Sequence, residues 1–214
     1  MKPADLKKLP PPVASLVQEG LKARGHYAGT TRGFPGPKTL SAFRDYLAAI
    51  TPAPEVGTMA GELVKLARSQ IGVREVPMDS NRGERVEDYQ AATWYAGTGW
   101  PWCAAFICWL FREAGAPDSW RPKTPGAWDF ENWARKQPSR VTLYKPASHC
   151  QIKPGDVLVY TFSHIGRADG EEIDGHVATI EGNTDEAGSR EGGGVYRKTR
   201  RLSQIRSVIR VRDS

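Results

Sequence analysis

The spacing of apolar positions divides the chain into a helical front, a tryptophan-rich middle and a strand-rich end. Near the start, Leu16, Val17, Leu21 and Ala23 recur at helical spacing up to Gly25, and Leu40, Phe43, Tyr46 and Leu47 share one side of a second amphipathic helix over 39–50. The glycine- and proline-rich stretch between them reads as a turn region. Residues 51–58, TPAPEVGT, show no periodicity and read as a linker. A third helix over 61–71 places Leu63, Leu66, Ala67 and Ile71 on one face, and a fourth over 86–94 follows a turn at 80–83. The run 104–114 is apolar almost all round. Gly99 and Pro101 open it and Gly115 and Pro117 close it, so it predicts a short buried helix.

Beyond Gly115, Trp120, Trp128, Phe130 and Trp133 stand among Pro122, Pro125 and Gly126, a turn-punctuated stretch whose aromatics either wall a cleft or cover the core. The pattern then changes to strands: 157–160, a second starting around His164, a third over 176–184 and the rest between 194 and 211. Helices first and a mostly antiparallel sheet afterwards predict an α+β architecture. The boundaries are 1–50 for a small all-α bundle, 51–59 for the linker and 60–214 for the larger domain.

Composition narrows the class. The 214 residues carry a net charge of +6, with ordinary proportions of hydrophobic and charged residues. Neither a signal peptide nor a membrane span is expected, because the N-terminus lacks an apolar core and no window approaches about eighteen apolar residues. Three cysteines without CxxC spacing argue against disulfides and structural zinc. The basic balance favours anionic partners. Much of it lies in Arg197, Lys198, Arg200, Arg201, Arg206, Arg210 and Arg212, which alternate with apolar residues and read as the wet face of two strands. No zinc finger, basic zipper or aromatic RNA-binding pattern accompanies them, so no nucleic-acid partner is expected.

The candidate chemistry centres on Cys103, at the mouth of the buried helix. Unpaired N–H groups and the positive end of the helix dipole favour a thiolate there. Cys108 lies inside the apolar run and reads as core, and Cys150 as a loop residue. Two histidines compete as the base. In an extended strand His176 points away from the face of Glu181 and Asn183, and lies about 16 Å from Glu181 at ~3.3 Å per residue. A hairpin closed by 171–174 would instead set His164 directly across from Glu181, with Asn183 one step further. Thiolate, imidazole and orienting carboxylate are the parts that amide hydrolysis needs, arranged in a papain-like order.

Two resemblances follow from these residues. WCAAF at 102–106, PGD at 154–156, HIG at 164–166 and TIEGNT at 179–184, together with SNRG at 80–83 and the segment 188–200, resemble the cysteine/histidine-dependent amidohydrolase/peptidase (CHAP) family in its bacterial and phage branch. The resemblance implies Cys103 as nucleophile, His164 as base, Glu181 as orienting acid and Asn183 as a further polar member. Trp102 and Trp128 are the expected substrate contacts. Some relatives bind calcium through closely spaced aspartates ahead of the cysteine, a spacing this chain lacks, so neither metal nor cofactor is expected. In the first unit, Gln18, Leu21, Lys22, Gly25, His26, Tyr27 and Gly29, then Gly36, Pro37, Lys38 and Thr39, resemble a three-helix peptidoglycan-binding domain, in which Tyr27 would touch the ligand. Phe34-Pro35-Gly36 departs from its plain F-G, and an acidic residue usual there is missing. Together they imply a monomeric peptidoglycan hydrolase, an amidase or endopeptidase of the phage endolysin type. It would act on the wall after leaving the cytoplasm through a pore or secretion machine. The rival is a non-catalytic wall or nucleic-acid binder using its basic surface.

Overall fold

The computed structural model describes residues 3–50 and 57–212. A 3-10 turn, Pro3–Lys8, leads into α1 (Pro11–Ala23) and α2 (Pro37–Ile50), then α3 (Met59–Ser69), α4 (Glu84–Gln90), α5 (Cys103–Glu113) and α6 (Asp129–Arg135). Six strands follow: β1 (Val141–Tyr144), β2 (Val157–Tyr160), β3 (Ile165–Ile173), β4 (His176–Thr184), β5 (Gly194–Arg201) and β6 (Ile205–Val211). They form one antiparallel sheet in the order β1-β6-β2-β3-β4-β5. Two elements were illegible. α6 is too short for a full apolar stripe, and β1, VTLY, has neither the uninterrupted apolar run of β2 nor enough positions to establish alternation.

Alternation along the sheet separates two cores. Val157, Val159, Ile165, Ile180 and Ile209 face α5, whose residues from Cys103 to Phe111 are all buried. Leu158, Tyr160, Ala168, Val177 and Val208 form a second cluster. β2 is therefore buried on both faces, which explains why its apolar run does not alternate. The seating of α5 depends on Gly182, where a Cβ would stand 2.6 Å from the Trp102 ring and 2.9 Å from Phe106 Cβ. Three expected placements fail. Leu16 is 67% exposed, α3 stops two residues before an exposed Ile71, and α4 ends at Gln90. Periodicity tolerates such end errors because a helix frays where its apolar contacts cease.

The helical unit has its own core of Leu6, Leu21, Leu40, Ala42 and Phe43. Gln18 ties it together. Its amide donates to Thr39 Oγ1 at 3.0 Å and to the Phe34 carbonyl at 3.3 Å, while its Oε1 accepts the Gly33 N–H at 3.0 Å. Gln18 and Thr39 of the binding-domain motif are thus buried scaffold. α2 packs beside β3, β4 and β5, where Asp45 accepts a hydrogen bond from Thr199 at 2.9 Å. Most of the linker lies outside the described residues; at its end Thr58 caps α3 through the Gly61 N–H.

Candidate active site

Cys103 is the first residue of α5, 6% exposed, and no side chain caps the helix. The opening-turn amides therefore have no partner within the helix, as helix geometry requires. His164 enters from the turn between β2 and β3, where the Tyr160 N–H donates to the His164 carbonyl at 3.0 Å and Ser163 takes a φ of 53°. A non-glycine residue in that region is uncommon, and the tight turn it makes leads from β2 into His164.

The imidazole is fully buried. Its Nε2 lies 3.1 Å from Glu181 Oε2. An ionised carboxylate only accepts, so Nε2 carries the proton. Nδ1 has no partner of ordinary hydrogen-bond geometry, which leaves it as the nitrogen on which the Cys103 sulfur acts. Burial alone would lower the imidazole pKa. The charge interaction and hydrogen bond with Cys103, followed by the Glu181 bond and charge, outweigh it and raise the value to about 9. At neutral pH the His164 imidazole is therefore held protonated.

Glu181 is wholly buried and saturated with donors. Arg200 donates through Nε at 2.9 Å and Nη2 at 2.5 Å, the Tyr160 hydroxyl at 2.8 Å and the Thr179 hydroxyl at 2.6 Å, besides His164. Burial pushes its pKa up, but the bonds from Arg200 and His164 and their charges bring it well below the ordinary carboxylate range. Tyr160, Phe162 and His164 lie nearly parallel, with ring centroids 5.2 to 6.0 Å apart, and the Arg200 guanidinium stands 5.4 and 5.2 Å from the first two rings.

The hairpin register differs from expectation. Asp174 and Gly175, both at positive φ, form a two-residue turn, and Arg167 pairs with Ile180. Gly166, not His164, therefore stands across from Glu181. A Cβ at Gly166 would meet Glu181 Cγ at 2.6 Å and the Tyr160 hydroxyl at 2.8 Å, so glycine leaves room for Glu181 to reach His164 diagonally. Asp-Gly is a strong signal for such a turn. The expected 171–174 closure overlooked it. Because side chains alternate with period two, the two-residue displacement still left His164 and Glu181 able to meet.

Other expected residues are placed differently. Asn183 makes no side-chain hydrogen bond to His164 or Glu181; it lines a separate cavity, and its Nδ2 has no partner. Trp102 cannot touch substrate in this structure, because it is fully buried and donates its indole N–H to Glu75 at 2.8 Å. Trp128 is 43% exposed; it donates to the Tyr160 carbonyl at 2.9 Å and carries Arg206 on its ring. Tyr27 lines a groove of about 520 Å³ between the helical unit and β5, with Lys38, Tyr196 and Lys198. His176 is at the turn end of β4, against the Asp174 carbonyl.

Arg200 was missed, having been read as one of the wet-face cations. That reading is corrected for four arginines: Arg200 binds Glu181, Arg197 binds Asp169, Arg206 binds Glu131 and Arg210 binds Asp156. All four acids are buried. The available signal was the arginine's alternation with apolar residues, which is equally that of a strand whose polar face is covered.

Residues 94–191 match the CHAP domain family. The matched segment holds Cys103, His164 and Glu181 but stops short of Arg200. CHAP domains are papain-like in fold and typically cysteine/histidine amidohydrolases or peptidases, and the helix-borne cysteine set against an antiparallel sheet agrees with that fold. Among curated proteins, no sequence matches the chain.

Proposed function

We propose that the protein is a peptidoglycan hydrolase of the endolysin type, which cleaves an amide bond in the peptide part of the bacterial wall through Cys103. The observation that carries this reading is the buried line of sulfur, imidazole and saturated carboxylate, with an imidazole pKa of about 9.

The Cys103 thiolate attacks the amide carbonyl carbon, and the carbonyl π electrons move to oxygen. The unpaired amides at the start of α5 supply N–H donors for that oxyanion. His164 gives its Nδ1 proton to the leaving nitrogen as the C–N bond breaks, which releases an amine and leaves a thioester. Neutral His164 then takes a proton from water, whose hydroxide displaces the thiolate and frees the carboxylic acid. Throughout, Glu181 holds the Nε2 proton and the plane of the ring. Two features support the wall as substrate: the CHAP match and the groove that Tyr27, Lys38 and Tyr196 share.

Digestion of purified peptidoglycan by wild type and Cys103→Ala, with products read by mass spectrometry, tests the reading. Wild type should release fragments and the variant none, the masses separating free stem peptides (amidase) from cut stems or bridges (endopeptidase). Binding by both proteins with release by neither would leave the non-catalytic wall binder in its place.

A further inference from the structure

A second cavity, of about 240 Å³, is lined by Glu75, Asp79, Asn81, Asn183, Glu191 and Gly192. Two residues join it to the active site: Glu75 accepts the indole N–H of Trp102, the residue before Cys103, and Asn183 stands two positions beyond Glu181 on β4. In a chain of net charge +6, three carboxylates converge on one small space.

Their states differ. Glu75 is buried and both its oxygens are engaged, by Trp102 and by the Asn81 N–H at 2.9 Å. Glu191 is exposed and shares Arg190 at 2.8 Å. Asp79 is exposed and, among the described residues, has neither a hydrogen bond nor an ion pair. Opposite them, Asn183 is 1% exposed, held at φ 56° with its carbonyl on the Gly192 N–H at 3.2 Å. Its Nδ2 is buried without an acceptor. An orphaned buried donor lowers stability until a ligand supplies the missing acceptor. A bare cation suits the cavity poorly, because the unpartnered atom of Asn183 is the donor Nδ2 and Glu75 has both oxygens committed. The complementary ligand carries positive charge at one end and an acceptor oxygen at the other.

We infer that this cavity is a specificity subsite for a primary ammonium group of the substrate peptide. Asp79 and Glu191 face the ammonium, and Asn183 Nδ2 donates to a carbonyl or carboxylate oxygen of the same residue. The inference rests on the hydrolase reading above, and it assigns the amine to the substrate residue held in this cavity. A stem peptide offers two such amines, its free α-amine and the side-chain amine of a diamino acid.

The test is calorimetric titration of full-length Cys103→Ala with L-Ala–γ-D-Glu–L-Lys–D-Ala in three forms: both amines free, α-acetylated and ε-acetylated. Acetylation of the recognised amine should weaken binding about tenfold, or about 1.4 kcal/mol, and which form loses affinity identifies the source. Adding Asp79→Asn and Glu191→Gln, both at exposed positions, should make the three forms bind alike. Equal binding by Cys103→Ala, no binding of any form, or discrimination that survives the added substitutions overturns the subsite. Discrimination here alongside a wild type that cuts nothing would retire the hydrolase reading and leave an amine-binding cavity. Hydrolysis without discrimination would do the reverse.

Discussion

At the scale of single residues, the site is governed by charges that water cannot reach. His164 is held protonated to about 9 against its own burial, and Glu181 is held ionised by Arg200 and His164. The signs follow. The contribution of His164 to stability is complete below its ordinary pKa of 6.5 and is lost as pH rises through about 9; that of Glu181 is complete above 4.5 and is lost as pH falls. Hydrolysis should therefore lose rate on the alkaline side near pH 9, which a pH profile of kcat/KM on a soluble peptide would show. Glu181→Gln should move that limb to lower pH and reduce kcat by about 10²- to 10⁴-fold. It also leaves the Arg200 guanidinium without its carboxylate, so the midpoint of thermal unfolding should fall as well. A catalytic role predicts both changes; a purely structural one predicts only the second.

At the scale of elements, α5 and the β3–β4 hairpin meet because two glycines let them. Gly182 admits Trp102 and Phe106, and Gly166 admits Glu181. Gly166→Ala should displace Glu181 from His164, cut kcat at least tenfold and draw the alkaline limb down, because its Cβ would stand within 3 Å of two atoms of the network. Gly175→Ala makes the control. It meets no atom within 4 Å but must hold a φ of +70°, so it should cost stability of about 1 kcal/mol with kcat unchanged. Circular dichroism melts and initial rates on the two variants separate seating from strain. The HIG and EGN triplets could be read as motifs, but why a glycine follows the histidine depends on which residue lies across the hairpin. That is a property of the Asp174-Gly175 turn and the irregular pairing between Ala168 and Glu172.

At the scale of the whole molecule, the helical unit lies against the sheet. α2 runs beside β3, β4 and β5, and the Tyr27 groove is built by both parts. Among its described residues the buried cluster is Leu6, Leu21, Leu40, Ala42 and Phe43, with Leu9, Val17, Tyr27, Tyr46 and Leu47 packed against it, so the unit is small for independent stability. Deleting residues 1–56 should lower the thermal midpoint by about 2–4 °C, the effect of about 1 kcal/mol in a chain of this size. Turnover of a soluble peptide should persist, since Cys103, His164, Glu181 and Arg200 all lie in the remainder. Unfolding scans and peptide assays on the truncated chain check both. An unchanged midpoint would instead favour a free tether.

The sequence by itself determined the α+β class, the buried helix behind Cys103 and strands β2 and β4 to the residue, because apolar periodicity and helix-ending residues act over a few neighbours. It also singled out Cys103, His164 and Glu181, whose facing survives any even displacement of a strand with period two. Only the tertiary structure decided that Arg200 turns inward, that Trp102 is sealed beneath the site and that Asn183 looks into an acidic cavity. It also showed Gln18 to be scaffold. Each of those depends on a partner far along the chain: Glu181 for Arg200, Glu75 for Trp102, Gly192 for Asn183 and Thr39 for Gln18. A polar side chain is stable inside only where such a partner arrives, and its arrival is set by strand register and helix seating, which local pattern does not encode.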